Sequence, residues 1–186
     1  MQEPEDTLQM LLQGLDRLAI CYMLCGSIAS SVHGIWRATN DVDIVVQLAS
    51  ERIDEFVAEF ARDFYVDKDQ IAHALLERRV FNVVHLNGAY KFDLFPLTDD
   101  RFQQQQFVRG RADGVKVPVA TSEDVILSKL VWYQKPGQLS DQHWQDILGV
   151  VAVQSESLDR AYLREWAGRL GVENLLEAAL TERHGD

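Results

Sequence analysis

Two aspartates set one residue apart at the head of an apolar run, Asp41-Val42-Asp43-Ile44-Val45-Val46, constrain this chain more than any other feature. Side chains alternate across a strand, so Asp41 and Asp43 share one face and Val42 takes the other. Neighbouring carboxylates repel each other and are costly beside apolar residues unless a cation accompanies them. A divalent metal meets that need. The preceding apolar run, residues 20–24, reads as a strand leading into Gly26-Ser27, and residues 26–35 read as a short helix rich in small residues. A Gly-Ser turn that opens a helix offers backbone N–H groups and a hydroxyl to phosphates, the usual companions of such a metal.

Competing readings thin out on inspection. A polar turn, Thr39-Asn40-Asp41, accounts for Asp41 alone but not for Asp43, which runs straight into residues that should be buried. The letters of 41–45 also satisfy the phosphatase-type pattern D-x-D-x-[TV]. In that pattern the aspartates end a strand and lead into a loop, whereas here the strand follows them. A third carboxylate, Asp93, shares a strand face with Lys91 and Phe95, while Tyr90, Phe92 and Leu94 share the other. It is either a metal ligand or a strand-edge acid paired with Lys91 or an arginine. Arg37 either contacts phosphate, balances the acidic cluster or lies at the surface. On the helix expected from Thr121 to Gln134, Lys129 lies within about 60° of Val125, Ile126, Trp132 and Tyr133, so its stem crosses the packed face. Its ammonium then snorkels to solvent or reaches the carboxylates or a phosphate.

Gly26-Ser27, thirteen intervening residues, then Asp41-Val42-Asp43 and a later-strand Asp93 together resemble the nucleotidyltransferase superfamily. The later segments are similar to its AbiEii-type branch, which has a helical Lys and an Asp on the following helix, here placed at Lys129 and Asp146. The resemblance spans about residues 24–150. It implies two Mg2+ ions held by Asp41, Asp43 and Asp93, an NTP substrate whose phosphates meet Gly26, Ser27 and Arg37, and Lys129 offsetting phosphate charge in the catalytic set. Asp146 either orients that lysine or is an exposed helix acid. The acceptor implied is a tRNA end, a protein side chain or a small molecule. Some members of the branch are toxins of toxin–antitoxin pairs, so a small antitoxin-like partner is a further expectation.

With 186 residues, 47% of them hydrophobic, the chain suits one domain with a helical appendage. We expect an α/β (α+β) nucleotidyltransferase-like core over residues 1–120, built on a mixed, mainly antiparallel sheet flanked by helices, and a C-terminal helical bundle over 121–186. A formal charge of −11 argues against a surface that grips nucleic acid broadly. Arg101, Arg109, Arg111 and Lys116 form either a local basic patch or ordinary solvated surface. No apolar run reaches the length of a membrane span, and the acidic N-terminus lacks the basic region of a signal peptide. Cys21 and Cys25, four apart on an extended segment, stand roughly 13 Å apart, too far for a disulfide. A reduced, cytoplasmic protein follows. The five histidines show no zinc spacing; His85, on a hairpin strand, is the one candidate among them to face the site.

Helices are expected at 7–18, 50–60 with Ser50 as N-cap, 70–78, 101–106, 121–134, 141–153, 158–170 and 172–182. Strands are expected at 81–86 and 89–95 around an Asn87-Gly88 turn, and at 115–119, where Pro118 argues for a sheet edge. The activity expected is transfer of a nucleoside monophosphate from an NTP to an acceptor hydroxyl. The alternatives are a non-catalytic NTP- or partner-binding regulatory module and kinase-like phosphoryl transfer on the same fold.

Overall fold

Alternation decides how the central sheet is clothed. The computed structural model describes residues 4–39, 41–88, 90–111, 116–135 and 141–182. Its strands are β1 (Tyr22–Cys25), β2 (Asp41–Val46), β3 (Phe64–Tyr65), β4 (Phe81–His85) and β5 (Lys91–Pro96), in spatial order β1-β2-β5-β4-β3. Only β2 and β5 run parallel; the other three pairings are antiparallel. The described helices are α1 (Pro4–Arg17), α2 (Gly26–His33), α3 (Ile53–Phe60), α4 (Lys68–Glu77), α5 (Arg101–Gly110), α6 (Ser122–Tyr133), α7 (Asp141–Gln154), α8 (Arg160–Leu170) and α9 (Glu173–Thr181). The expected mixed, mainly antiparallel sheet flanked by helices is the observed architecture.

One face of the sheet carries Tyr22, Leu24, Ile44, Val46, Phe81, Val83, Phe92 and Leu94, and α1, α3 and α4 cover it with Leu11, Leu15, Phe56, Phe60 and Ile71. The opposite face carries Met23 and Val45, packed with Ala29 of α2, Ile126 and Leu130 of α6 and Ile147 of α7, and this cluster extends through Leu163 and Leu176. Each such fully buried side chain contributes roughly 1.5–3 kcal/mol. Along β5 the pattern is regular: Phe92 and Leu94 are buried, Lys91, Asp93 and Phe95 half-buried. The second face is thus closed over one end and left open over Lys91, Asp93 and the exposed Asn82.

Thr121 caps α6, its hydroxyl accepting from the Asp124 N–H. The β4–β5 register pairs Phe81 with Leu94 and Val84 with Lys91, which centres the turn on Asn87-Gly88. Other expectations need correction. Ser50 is not a cap: the chain enters α3 through a 3-10 turn, Ser50–Arg52, so Ser50 already lies inside the first turn. Among the described residues no strand forms around Pro118; Val119 makes a single parallel bridge to Leu24, and Val115 lies outside the described residues. The two-residue β3 carries too short a pattern to be read. Both cysteines are free.

Half of the basic segment turns inward, while Arg101 and Lys116 are exposed. Arg109 turns inward to Glu123 (2.8 Å) and Asp124 (3.2 Å), and Arg111 donates to the Tyr22 carbonyl (2.8 Å). Asp124, wholly buried, also accepts from the Tyr162 hydroxyl (2.6 Å). Burial pushes its carboxyl up even though Tyr162, Thr121 and Arg109 all favour the charged form. His85 faces the α1/α3/α4 side, buried against Phe64, and does not approach the carboxylates.

Candidate functional site

A row of four residues crosses the sheet on its open face. Antiparallel pairing sets Cys25 beside Asp43, parallel pairing sets Asp43 beside Asp93, and antiparallel pairing sets Asn82 beside Asp93. One step along β2, Asp41 stands beside Lys91. Because Cys25 leads directly into α2, the row ends at a helix N-terminus. Gly26 makes that turn with φ +57, and a Cβ there would overlap the Asp43 carboxylate. Both the left-handed backbone and the contact demand glycine. The Ser27 backbone N–H beside it favours the charged form of Asp43.

Electrostatic crowding follows from this packing. Burial pushes the Asp43 carboxyl above its usual range, and the charges of Asp93 and Asp41 push it further; Lys129 and the Ser27 N–H oppose them. Asp93 accepts from the Asn82 amide and from Lys91 Nζ at 3.0 Å, and Lys91 lies 3.9 Å from Asp41. The three carboxylates supply the hard oxygen donors that Mg2+ prefers, and their unrelieved charge at Asp43 is what a cation would answer. They are not assembled as a ready cage: no group of three His, Cys, Asp or Glu side chains among the described residues is arranged to hold a metal.

Above the row, α6 and α7 present a second charged set. Lys129, buried, donates to Asp146 at 2.8 Å. Arg37 donates to the same carboxylate at 2.9 and 3.1 Å and to the Ser27 hydroxyl at 2.8 Å; Gln142 adds a fourth contact at 3.0 Å. Burial alone would raise the Asp146 carboxyl, but Arg37 and Lys129 outweigh it and hold it down to about 2. Neither Lys129 snorkelling to solvent nor an exposed Asp146 is what forms. Two cations share one carboxylate, so the set keeps a net positive charge beside the helix N-terminus.

Between these layers lies a cleft of about 460 Å3. Its charged side chains, Asp43 and Lys129, gather with His143 and Ser27, while Met23, Val45, Phe95 and Val125 line it with apolar surface and Gln103, Gln106 and Ser128 add polar groups. Burial, then Lys129, pushes the His143 imidazole down.

Of the residues singled out from sequence, Gly26, Ser27, Asp43 and Lys129 line this one cleft, and Arg37 joins it through Ser27. Asp93 adjoins Asp43 in the row, and Asp41 stands more exposed at its rim. Asn82, Gln103, Gln106, Ser128, Trp132 and His143 went unread. Asn82 carried one signal: it sits on the polar phase of an alternating strand, opposite Asp93 once the Asn87-Gly88 turn fixes the register.

No family model and no curated protein matches the sequence. Solved structures do match. The antibiotic-resistance factor ANT(2")-Ia in complex with adenylyl-2"-tobramycin superposes with TM-score 0.56 at 14% identity, over 89% of this chain and 95% of that one. An antigenic nucleotidyltransferase-like protein from Paracoccidioides brasiliensis gives 0.52 at 21% identity, over 95% and 92%. The lincosamide antibiotic adenylyltransferase LnuA, lincomycin-bound, gives 0.52 at 14%, over 82% and 99%. The chain has the fold of these proteins, and at such identities the likeness speaks for the fold.

Proposed function

We propose that this chain transfers a nucleoside monophosphate from an NTP to an acceptor hydroxyl, releasing pyrophosphate. One observation carries the reading: Gly26, at the N-terminus of α2, is packed against the Asp43 carboxylate, which the sheet places beside Asp93. A phosphate seat and a metal seat therefore share one boundary. In the reaction the acceptor oxygen bonds to the α-phosphorus, the bond from that phosphorus to the pyrophosphate oxygen breaks, and the hydroxyl proton passes to a base.

The residues divide the work. Asp41, Asp43 and Asp93 would hold divalent cations, which supply charge to the triphosphate and acidify the acceptor hydroxyl. Gly26 and the Ser27 hydroxyl meet the phosphates, with the α2 N–H groups behind them. Lys129 and Arg37, fixed in place by Asp146, offset phosphate charge as it shifts to the leaving group. The cleft excludes water on its Met23, Val45 and Phe95 side.

A small-molecule acceptor is favoured over RNA. The cleft is of ligand size, the net charge is acidic, Arg109 and Arg111 of the basic segment turn inward, and two of the similar structures hold antibiotic-derived ligands. The toxin-like role and antitoxin partner have only the sequence resemblance behind them. No described helix is long and apolar enough to cross a membrane.

The test uses each α-labelled NTP with Mg2+ and separate pools of hydroxylated small molecules, RNA and protein, with Asp43→Asn as control. We expect label on a small molecule, pyrophosphate in equal amount, and neither from the control. NTP binding without either product would support the non-catalytic module, and label on the acceptor in a parallel reaction with γ-labelled NTP would support phosphoryl transfer.

A further inference from the structure

Lys91 occupies a position that strand geometry, not chance, assigns to it. It is the cross-strand neighbour of Asp41 in the parallel β2–β5 pairing and lies two residues from Asp93 on the same face. Its ammonium therefore sits between the two carboxylates, 3.0 Å from Asp93 and 3.9 Å from Asp41. Asp43 forms no ion pair among the described residues, although it is the most crowded of the three. The cluster is thus divided: two carboxylates already share a cation, and the third waits for one.

We infer that Lys91 is an internal counter-ion that closes Asp41 and Asp93 to a free divalent cation and releases them when a cation arrives with a nucleotide. The inference rests on the nucleotidyl-transfer reading for its ligand. A free divalent ion entering the row must displace or repel an ammonium at hydrogen-bond distance from one ligand. A triphosphate brings its own negative charge, to which the flexible lysine stem can swing, so the same ion meets two freed carboxylates. Lys91 is well suited to that movement because its side chain remains 44% exposed. Lys91 is then a positioning residue that sets the order of loading, cation with nucleotide before any cation alone.

Mn2+ binding, followed by electron paramagnetic resonance, tests this without relying on turnover. The parent chain, Lys91→Met and Lys91→Arg are titrated first without nucleotide, then with an α,β-methylene NTP. Without nucleotide, Lys91→Met should bind Mn2+ about tenfold tighter than the parent, as removal of one nearby, partly screened charge predicts, and Lys91→Arg should match the parent. With the analogue the gap should shrink, because the parent gains the most. Equal or weaker Mn2+ binding by Lys91→Met would overturn the inference; a purely structural lysine would lower the melting temperature without raising metal affinity. Lys91→Gln serves the same comparison if the Met variant does not fold. The label-transfer assay separates the two claims: transfer by the parent with no change in Mn2+ affinity sinks only the role of Lys91. Tighter Mn2+ binding without transfer by any NTP sinks only the nucleotidyl-transfer reading.

Discussion

Replacing Asp146 by Asn should cost far more than a single surface-like substitution on α7. The side chain is 5% exposed and holds Lys129, itself 8% exposed, together with Arg37. Its carboxyl lies at about 2 rather than 3.8. That depression represents roughly 2.5 kcal/mol of stabilisation. Asn also leaves the Lys129 ammonium buried without a counter-charge, which brings the expected loss to about 3–4 kcal/mol. For a chain of this size that lowers the melting temperature by about 6–16 °C. Urea denaturation of Asp146→Asn, Lys129→Met and the double variant gives the magnitude and a coupling energy, expected to exceed about 1.5 kcal/mol. The pH dependence supplies a second check. Because the folded-state carboxyl is depressed, its contribution is complete above pH 3.8 and disappears as pH falls through about 2. The parent should therefore lose stability across that window more steeply than Asp146→Asn. A single-variant loss under about 0.5 kcal/mol, or no coupling to Lys129, would refute the reasoning.

Gly26→Ala should lose both the nucleotide site and about 1–3 kcal/mol of stability, since the methyl meets the Asp43 carboxylate at a left-handed backbone position; calorimetry and NTP binding read both, and an unchanged pair would sink the account of that turn. Asp43→Asn should instead stabilise the metal-free chain by about 0.5–1 kcal/mol, by removing a half-buried, crowded charge, while abolishing transfer; a fall in melting temperature in EDTA would contradict this. Tyr162→Phe strips a donor from wholly buried Asp124 and should cost about 1–3 kcal/mol in urea denaturation, with nucleotide binding unchanged because that network lies outside the cleft.

Much of the sheet was legible because alternation is a local signal. Asp41 and Asp43 could be put on one face from six letters, and Asn87-Gly88 fixed the β4–β5 register to the residue. The parallel partnership of β2 with β5 was not readable, since forty-four residues separate the end of one from the start of the other and nothing local specifies it. The row from Cys25 to Asn82 is a product of three registers at once. Gln103 and Gln106 were missed because glutamine on a short helix reads as solvated, and only the packing of α5 against α6 turns Gln106 inward, to the Asp124 carbonyl and the Ser128 hydroxyl. Arg109 misled for the same reason: its partners lie on the next helix. The Lys129–Asp146 pairing came from the family resemblance, because two charges on separate helices leave no periodic trace. Ser50 shows the limit of capping signals, which name a helix start only to within a turn.

The margins of the sheet bear on how the molecule behaves in a crowd. On one margin β3 is only two residues long. On the other, Leu24 of β1 has its amide taken by the Pro118 carbonyl and its carbonyl taken by the Ala120 amide, so a stretch without strand identity acts as a selvedge. Such blunted margins offer little main-chain template to a neighbouring copy. Despite a core rich in β-branched and aromatic residues, the folded protein should resist strand-to-strand polymerisation, and any assembly it forms in concentrated solution should be held by side chains rather than by a shared sheet.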